Sequence, residues 1–190
     1  MTDVSSPHET EAGRAWVFGD HVDTDQITPS RFITSTDPAD LAKHAFNDLR
    51  PSFAANVADG DVVVAGENFG GGSSREQAPL ALVGAGVSGV VAESFARIFF
   101  RNCINIGLAV MTCPQAGRID DGDRVSLHPA DGRVVNHTAD EEYPSDTLPP
   151  FLRDLIDAGG LKPYTRAKLT DSDYGESLPE QPQEDVRSNR

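Results

Sequence analysis

The segment Gly66–Pro79, GENFGGGSSREQAP, gathers three consecutive glycines, two serines and an arginine. The glycines let the backbone turn sharply and approach a ligand closely. The next stretch, Arg75–Val83, predicts a helix, ended by Gly84 and Gly86. Ser73 and Ser74 are thereby expected at a helix N-terminus, where free N–H groups and the helix dipole favour an anion. Arg75 adds a planar fork suited to carboxylate or phosphate. Such a loop binds an oxyanion. The plainer alternative is capping, in which Ser73 or Ser74 closes the helix and the glycines only turn the chain. The loop lacks the GK[ST] ending of a Walker loop, and Arg75 stands where a dinucleotide fingerprint needs its third glycine.

The elements around this loop alternate. Arg14–Gly19 is a short strand candidate that runs into a polar turn, Asp20–Asp25. Asp37 can cap a helix with Pro38 in its first turn, running to about Asp48. Asp61–Ala65, Val87–Ala92 and Leu108–Thr112 are short β-branched runs of the buried-strand type. Ser94–Asn102 places Phe95, Ile98, Phe99 and Asn102 at helical spacing. Strands alternating with helices predict an α/β domain with a largely parallel sheet. Arg124–His128 and Arg133–His137 flank Pro129–Gly132 as a hairpin, and Pro149–Ala158 reads as a terminal helix stopped by Gly159-Gly160. Residues 1–13 and an acidic tail over 164–190 read as disordered, leaving one domain over 14–163.

Composition excludes several classes. With 30 acidic residues against 16 basic, the net charge of −14 argues against a nucleic-acid binder, whose phosphate contacts need basic patches. No apolar run is long enough to span a membrane, and the polar start is not a secretory signal, so a cytoplasmic protein is expected. The acid excess suits a proteome adapted to high salt, where repulsion among carboxylates is screened. Cys103 and Cys113 cannot supply a four-ligand cluster site, and the five histidines show no metal-ligand spacing. No metal is expected in this chain.

Three blocks carry a resemblance: GDHVDTDQITPSRF (Gly19–Phe32), NFGGGSSREQAP (Asn68–Pro79) and ESFARIFFRNCINIGL (Glu93–Leu108). In this order they resemble the small-subunit family of 3-isopropylmalate dehydratase and the equivalent C-terminal domain of aconitase. The resemblance covers about residues 14–113, and more weakly extends to about 163. It implies a swivelling β/β/α domain that closes over a large partner subunit. That partner would hold a 4Fe–4S cluster, and the pair would act as a hydro-lyase on a small hydroxy-dicarboxylate. Ser73 stands at the position of the family's catalytic base, an alkoxide, and Ser74 at that of a hydrogen-bonding neighbour. Arg75 matches the substrate-carboxylate clamp. Asp25 matches an aspartate that supports a proton-handling histidine of the partner. Without the resemblance, the DTD segment is a solvated acidic turn.

Substrate range falls on Thr28, Arg31, Ile33 and Thr34 by the same resemblance. Phe32 and Ile33 suit an apolar branch such as isopropyl. Thr34 stands where homoaconitase-type relatives carry an arginine, whose absence leaves a third carboxylate without a partner. Arg31 is expected either to reach into the site or to make a surface salt link. Gln77 and Gly71 depart from the histidine and cysteine of many relatives. Ser94 is expected to cap its helix, and Arg97 and Arg101, one turn apart, to pair with acids or with the partner. Homoaconitate-type or methylmalate-type substrates, and a non-catalytic anion-binding module, are the alternatives.

Overall fold

The structure is a computed structural model that describes residues 10–171. The element order is β1 (Gly13–Val17), α1 (Thr24–Ile27), α2 (Pro38–Ala42), α3 (Phe53–Asn56), β2 (Val62–Ala65), α4 (Gln77–Gly84), β3 (Gly89–Ala92) and α5 (Arg97–Ile106). It continues with β4 (Ala109–Thr112), β5 (Arg124–His128), β6 (Arg133–Asn136), β7 (Glu141–Pro144), α6 (Pro150–Asp157) and α7 (Leu161–Asp171).

One seven-stranded sheet runs in the order β4-β3-β2-β1-β5-β6-β7. Its first four strands are parallel, and β5, β6 and β7 follow antiparallel. The two halves meet at a narrow seam, Gly13↔Val125 and Arg14↔Arg124, where the sheet curls. Strand periodicity then sorts the parallel half into two cores. Val63, Ala65, Val90, Ala92 and Val110 face the helices. Val62, Val64, Val91 and Met111 face the other way, onto Val125, Leu127, Val134 and Tyr143 of the antiparallel half. Burial on both faces explains why β2 and β3 read as continuous apolar runs. Gly89 belongs to this close approach, since a Cβ there would run into Leu127. The result is the expected β/β/α layering.

Several boundaries differ from expectation. The helix expected from Pro38 to Asp48 stops at Ala42. Phe46 takes a left-handed φ of 52°, gives its N–H to Ile27 O, and stacks on Phe18 at 4.0 Å, so packing overrides local helix preference. The sheet is half antiparallel, and β7 was not anticipated. Thr10 already pairs with Leu127, its N–H donating to the Leu127 carbonyl at 3.0 Å and its Oγ1 accepting from the Leu127 N–H at 2.9 Å. The expected domain end at 163 falls inside α7. Residues 1–9 and 172–190, where the rest of the expected disorder falls, lie outside the described residues.

Candidate active site

Parallel strands end on one edge of the sheet, and the loops that leave β1, β2 and β3 there are joined by backbone pairing. Asp23 bridges Gly71, with the Thr24 N–H on Gly71 O at 2.9 Å and the Gly70 N–H on Val22 O at 2.7 Å. Phe69 bridges Phe95, with the Phe69 N–H on Ser94 O at 3.0 Å. Phe69 is fully buried and meets Phe99 edge to face at 5.3 Å, which anchors the underside of the glycine run. Gly70 has a φ of 80°, and a Cβ there would strike the Phe99 ring, so only glycine fits.

Ser73 leaves this scaffold exposed. Its carbonyl is held by the Thr24 hydroxyl at 3.2 Å and the Arg75 N–H at 2.8 Å, while its own hydroxyl makes no hydrogen bond among the described residues. The main chain is fixed and the hydroxyl is open. Ser74 is exposed and also makes no side-chain bond there. Neither serine caps a helix: α4 begins at Gln77, with Glu76 as an N-cap that makes no side-chain bond. Ser73 thus precedes the cap by three residues. The dipole field fades within the first turn, so the expected placement at the helix mouth is corrected.

Asp25 and Arg75 come together as a pair. Asp25 Oδ1 accepts from Arg75 Nη1 at 2.8 Å and from the Ser30 N–H at 2.9 Å. The hydrogen bond from Arg75, aided by Ser30, lowers the Asp25 carboxyl to about 2. Only one arm of the Arg75 fork is engaged. Asp25 itself sits in a short helix fixed by a capping box, in which Asp23 accepts from the Gln26 N–H at 2.7 Å and Gln26 returns the bond at 2.9 Å. Asp23, expected as a plain turn residue, therefore sets where Thr24 and Asp25 stand.

The substrate-range residues separate. Thr28 is fully buried, and its hydroxyl finds no partner among the described residues, so this structure does not present it to a ligand. Arg31 makes a two-armed pair with Asp48 and lies over Phe32, realising the surface link rather than an inward reach. Ile33 is half-buried and Thr34 exposed.

Residues expected to be structural stand in the site instead. A cleft of about 370 Å³ has Gly70, Gly72 and Ser73 on one wall and Arg97, Ile98 and Arg101 on the other. Ser94 does not cap α5; its Oγ accepts from the Asn68 N–H at 2.8 Å, and Ala96 is the N-cap. The repeat of arginine at i and i+4 in ARIFFR was a visible signal, but nothing in sequence showed that this helix face meets the serine loop. Cys103 and Cys113 are buried in different cores, and among the described residues no group of three or more His, Cys, Asp or Glu could hold a metal.

Residues 55–116, from α3 through β4, match the aconitase C-terminal domain family. The small subunit of 3-isopropylmalate dehydratase from Methanosarcina mazei is 52% identical over 159 residues, covering 84% of this chain and 98% of that protein. Small subunit 1 of the same enzyme from Archaeoglobus fulgidus is 51% identical over 155 residues, covering 82% and 96%. Among solved structures, the crystal structure of 3-isopropylmalate dehydratase from Methanocaldococcus jannaschii superposes with a TM-score of 0.80 at 42% identity, over 84% of this chain and 95% of that one. Agreement in sequence and layered fold has one meaning: this chain belongs to the family of 3-isopropylmalate dehydratase small subunits.

Proposed function

We propose that this chain is the cytoplasmic small subunit of a 3-isopropylmalate dehydratase, a hydro-lyase of leucine biosynthesis, with Ser73 as its base. The observation that carries this is an exposed, unengaged Ser73 hydroxyl on a residue whose carbonyl is fixed by two hydrogen bonds. As alkoxide, Ser73 Oγ takes the proton from the carbon beside a carboxylate. The electron pair left behind forms a double bond as the hydroxyl departs from the neighbouring carbon, taking a proton from an acid of the partner subunit to leave as water. Readdition of water with the opposite placement completes the isomerisation between 2- and 3-isopropylmalate. A 4Fe–4S cluster in a large partner subunit supplies Lewis-acid chemistry at the hydroxyl when bound. This chain's residues do the rest. Arg75 offers its free guanidinium N–H groups to a substrate carboxylate while Asp25 keeps it in place. Ser74 adds a donor beside it.

The lock between Arg31 and Asp48 favours an apolar substrate branch, since it removes a cation that a third carboxylate would need. The net charge of −14 is read as adaptation to high salt. A melting temperature that rises from low to molar KCl supports this, and one that stays level rejects it.

The test of the base is anaerobic reconstitution with the large subunit and assay of isopropylmalate interconversion. Ser73→Ala should assemble normally and lose turnover by about a thousandfold. An assembled variant at full rate overturns the assignment.

A further inference from the structure

Deepening the proposed function, on which it rests, we propose that Arg97 and Arg101 are positioning residues for Ser73: a cationic rim that holds its oxygen as the alkoxide. They line the same cleft as Ser73, together with Ala96 and Ile98.

Elimination leads to them. The first turn of α4 begins beyond Ser73, which stands three residues before its N-cap, and a helix dipole acts within its own first turn. Arg75 is already offset by Asp25 at 2.8 Å. What remains along the cleft is Arg97 and Arg101.

The described arginines divide into two groups. Arg14, Arg31, Arg50, Arg75, Arg118 and Arg133 each pair with a carboxylate. Arg97 and Arg101, both exposed, pair with none among the described residues, a state they share with Arg124, Arg153 and Arg166, but only these two line the cleft with Ser73. They lie one turn apart on α5, where like charges repel. Arg97 is moreover the first residue of that helix, whose opening turn holds no acid, so its cation meets the positive end of the dipole. Two local preferences are broken together with no compensation in the fold, which marks a site under functional demand. Open to water, the rim is screened. Closure by the partner expels that water and strengthens the attraction between the guanidinium groups and the oxygen.

The test uses the reconstituted pair of subunits, with gel filtration to confirm assembly. Replacing both residues, Arg97→Gln with Arg101→Gln, should lower kcat about tenfold or more and leave KM within about threefold. The acidic limb of the kcat–pH profile should move to higher pH, because losing the cations raises the pH needed to form the alkoxide. Arg97→Lys with Arg101→Lys should restore most of the rate and return the limb. An unmoved limb overturns the proposal, as does a loss confined to KM, which would make the pair a substrate clamp. If the glutamine variant does not assemble, the lysine variant decides: near-normal kcat and limb support the rim, and a kcat loss of tenfold in assembled enzyme overturns it. Ser73→Ala, run alongside, tests the base separately, since full rate there would remove the underlying assignment whatever the arginines do.

Discussion

The two halves of the sheet are built from similar strands and do different work. In the parallel half, every strand points the same way, so the loops after β1, β2 and β3 gather at one edge. There they pair with one another through Asp23–Gly71 and Phe69–Phe95 and expose Ser73. In the antiparallel half, hairpins alternate between edges, and several polar side chains bond one another. Ser126 Oγ lies 2.9 Å from His128 Nε2 and 2.8 Å from His137 Nε2, and Asn136 donates to Asp123 at 2.7 Å. That half closes the second core with Leu127, Val134 and Tyr143. Direction of pairing, more than composition, decides which half can assemble a site.

Substitutions can pull these roles apart. Ser73→Ala, the largest expected effect on rate, should change unfolding free energy by less than about 0.5 kcal/mol, because the side chain is exposed and unbonded. Leu127→Ala should do the reverse, costing about 2–5 kcal/mol in denaturant unfolding with little change in rate per assembled pair. If Leu127→Ala lowered the rate of fully folded enzyme as strongly as Ser73→Ala, the division would fail.

Smaller effects sharpen the boundary. Asp25→Asn should cut turnover about tenfold by loosening Arg75 and the loop after β1, yet cost under about 1 kcal/mol in stability, since the pair is exposed. Acid should act at the seam between the halves. Asp121 accepts from both arms of Arg50, at 2.6 and 2.8 Å, and from the Val17 N–H at 3.0 Å; the Arg50 bond leads in lowering its carboxyl to about 2. Its folded value lies below the unfolded one, so its contribution is present above the ordinary carboxylate range and lost as pH falls toward 2. Asp121→Asn should therefore flatten the acid decline in melting temperature over that window. Last, Thr28→Val should leave turnover unchanged and melting equal or slightly raised, because a buried hydroxyl without a partner is being removed.

Much of the parallel half was legible. Apolar β-branched runs bounded by glycine gave β2, β3 and β4, and GGGSSRE marked the loop that carries Ser73. The hairpin of β5 and β6 was legible from Pro129–Gly132. β7 was not, because Glu141-Glu142-Tyr143-Pro144 offers one inward apolar residue on a charged edge strand. The early end of α2 depended on Phe46 meeting Phe18 and Ile27, a contact between segments that periodicity does not report. For the same reason Thr28 and Arg31 seemed able to face a ligand, whereas burial and Asp48 claim them. Arg97 and Arg101 were visible as a pair, but their distance from Ser73 in the chain hid the cleft they share.

The backbone stitches between the three loops carry a consequence for how this protein can be changed. Hydrogen bonds between main-chain atoms are indifferent to side-chain identity, and the last of them on the β1 loop falls at Thr24. Everything from Arg31 to Ser35 lies downstream of that fastening. On the proposed roles of Ile33 and Thr34, a chimera exchanging only this stretch should alter which molecules are accepted while the backbone that presents Ser73 is inherited intact, so selectivity and reactivity would be separable parts for an engineer as for descent with modification.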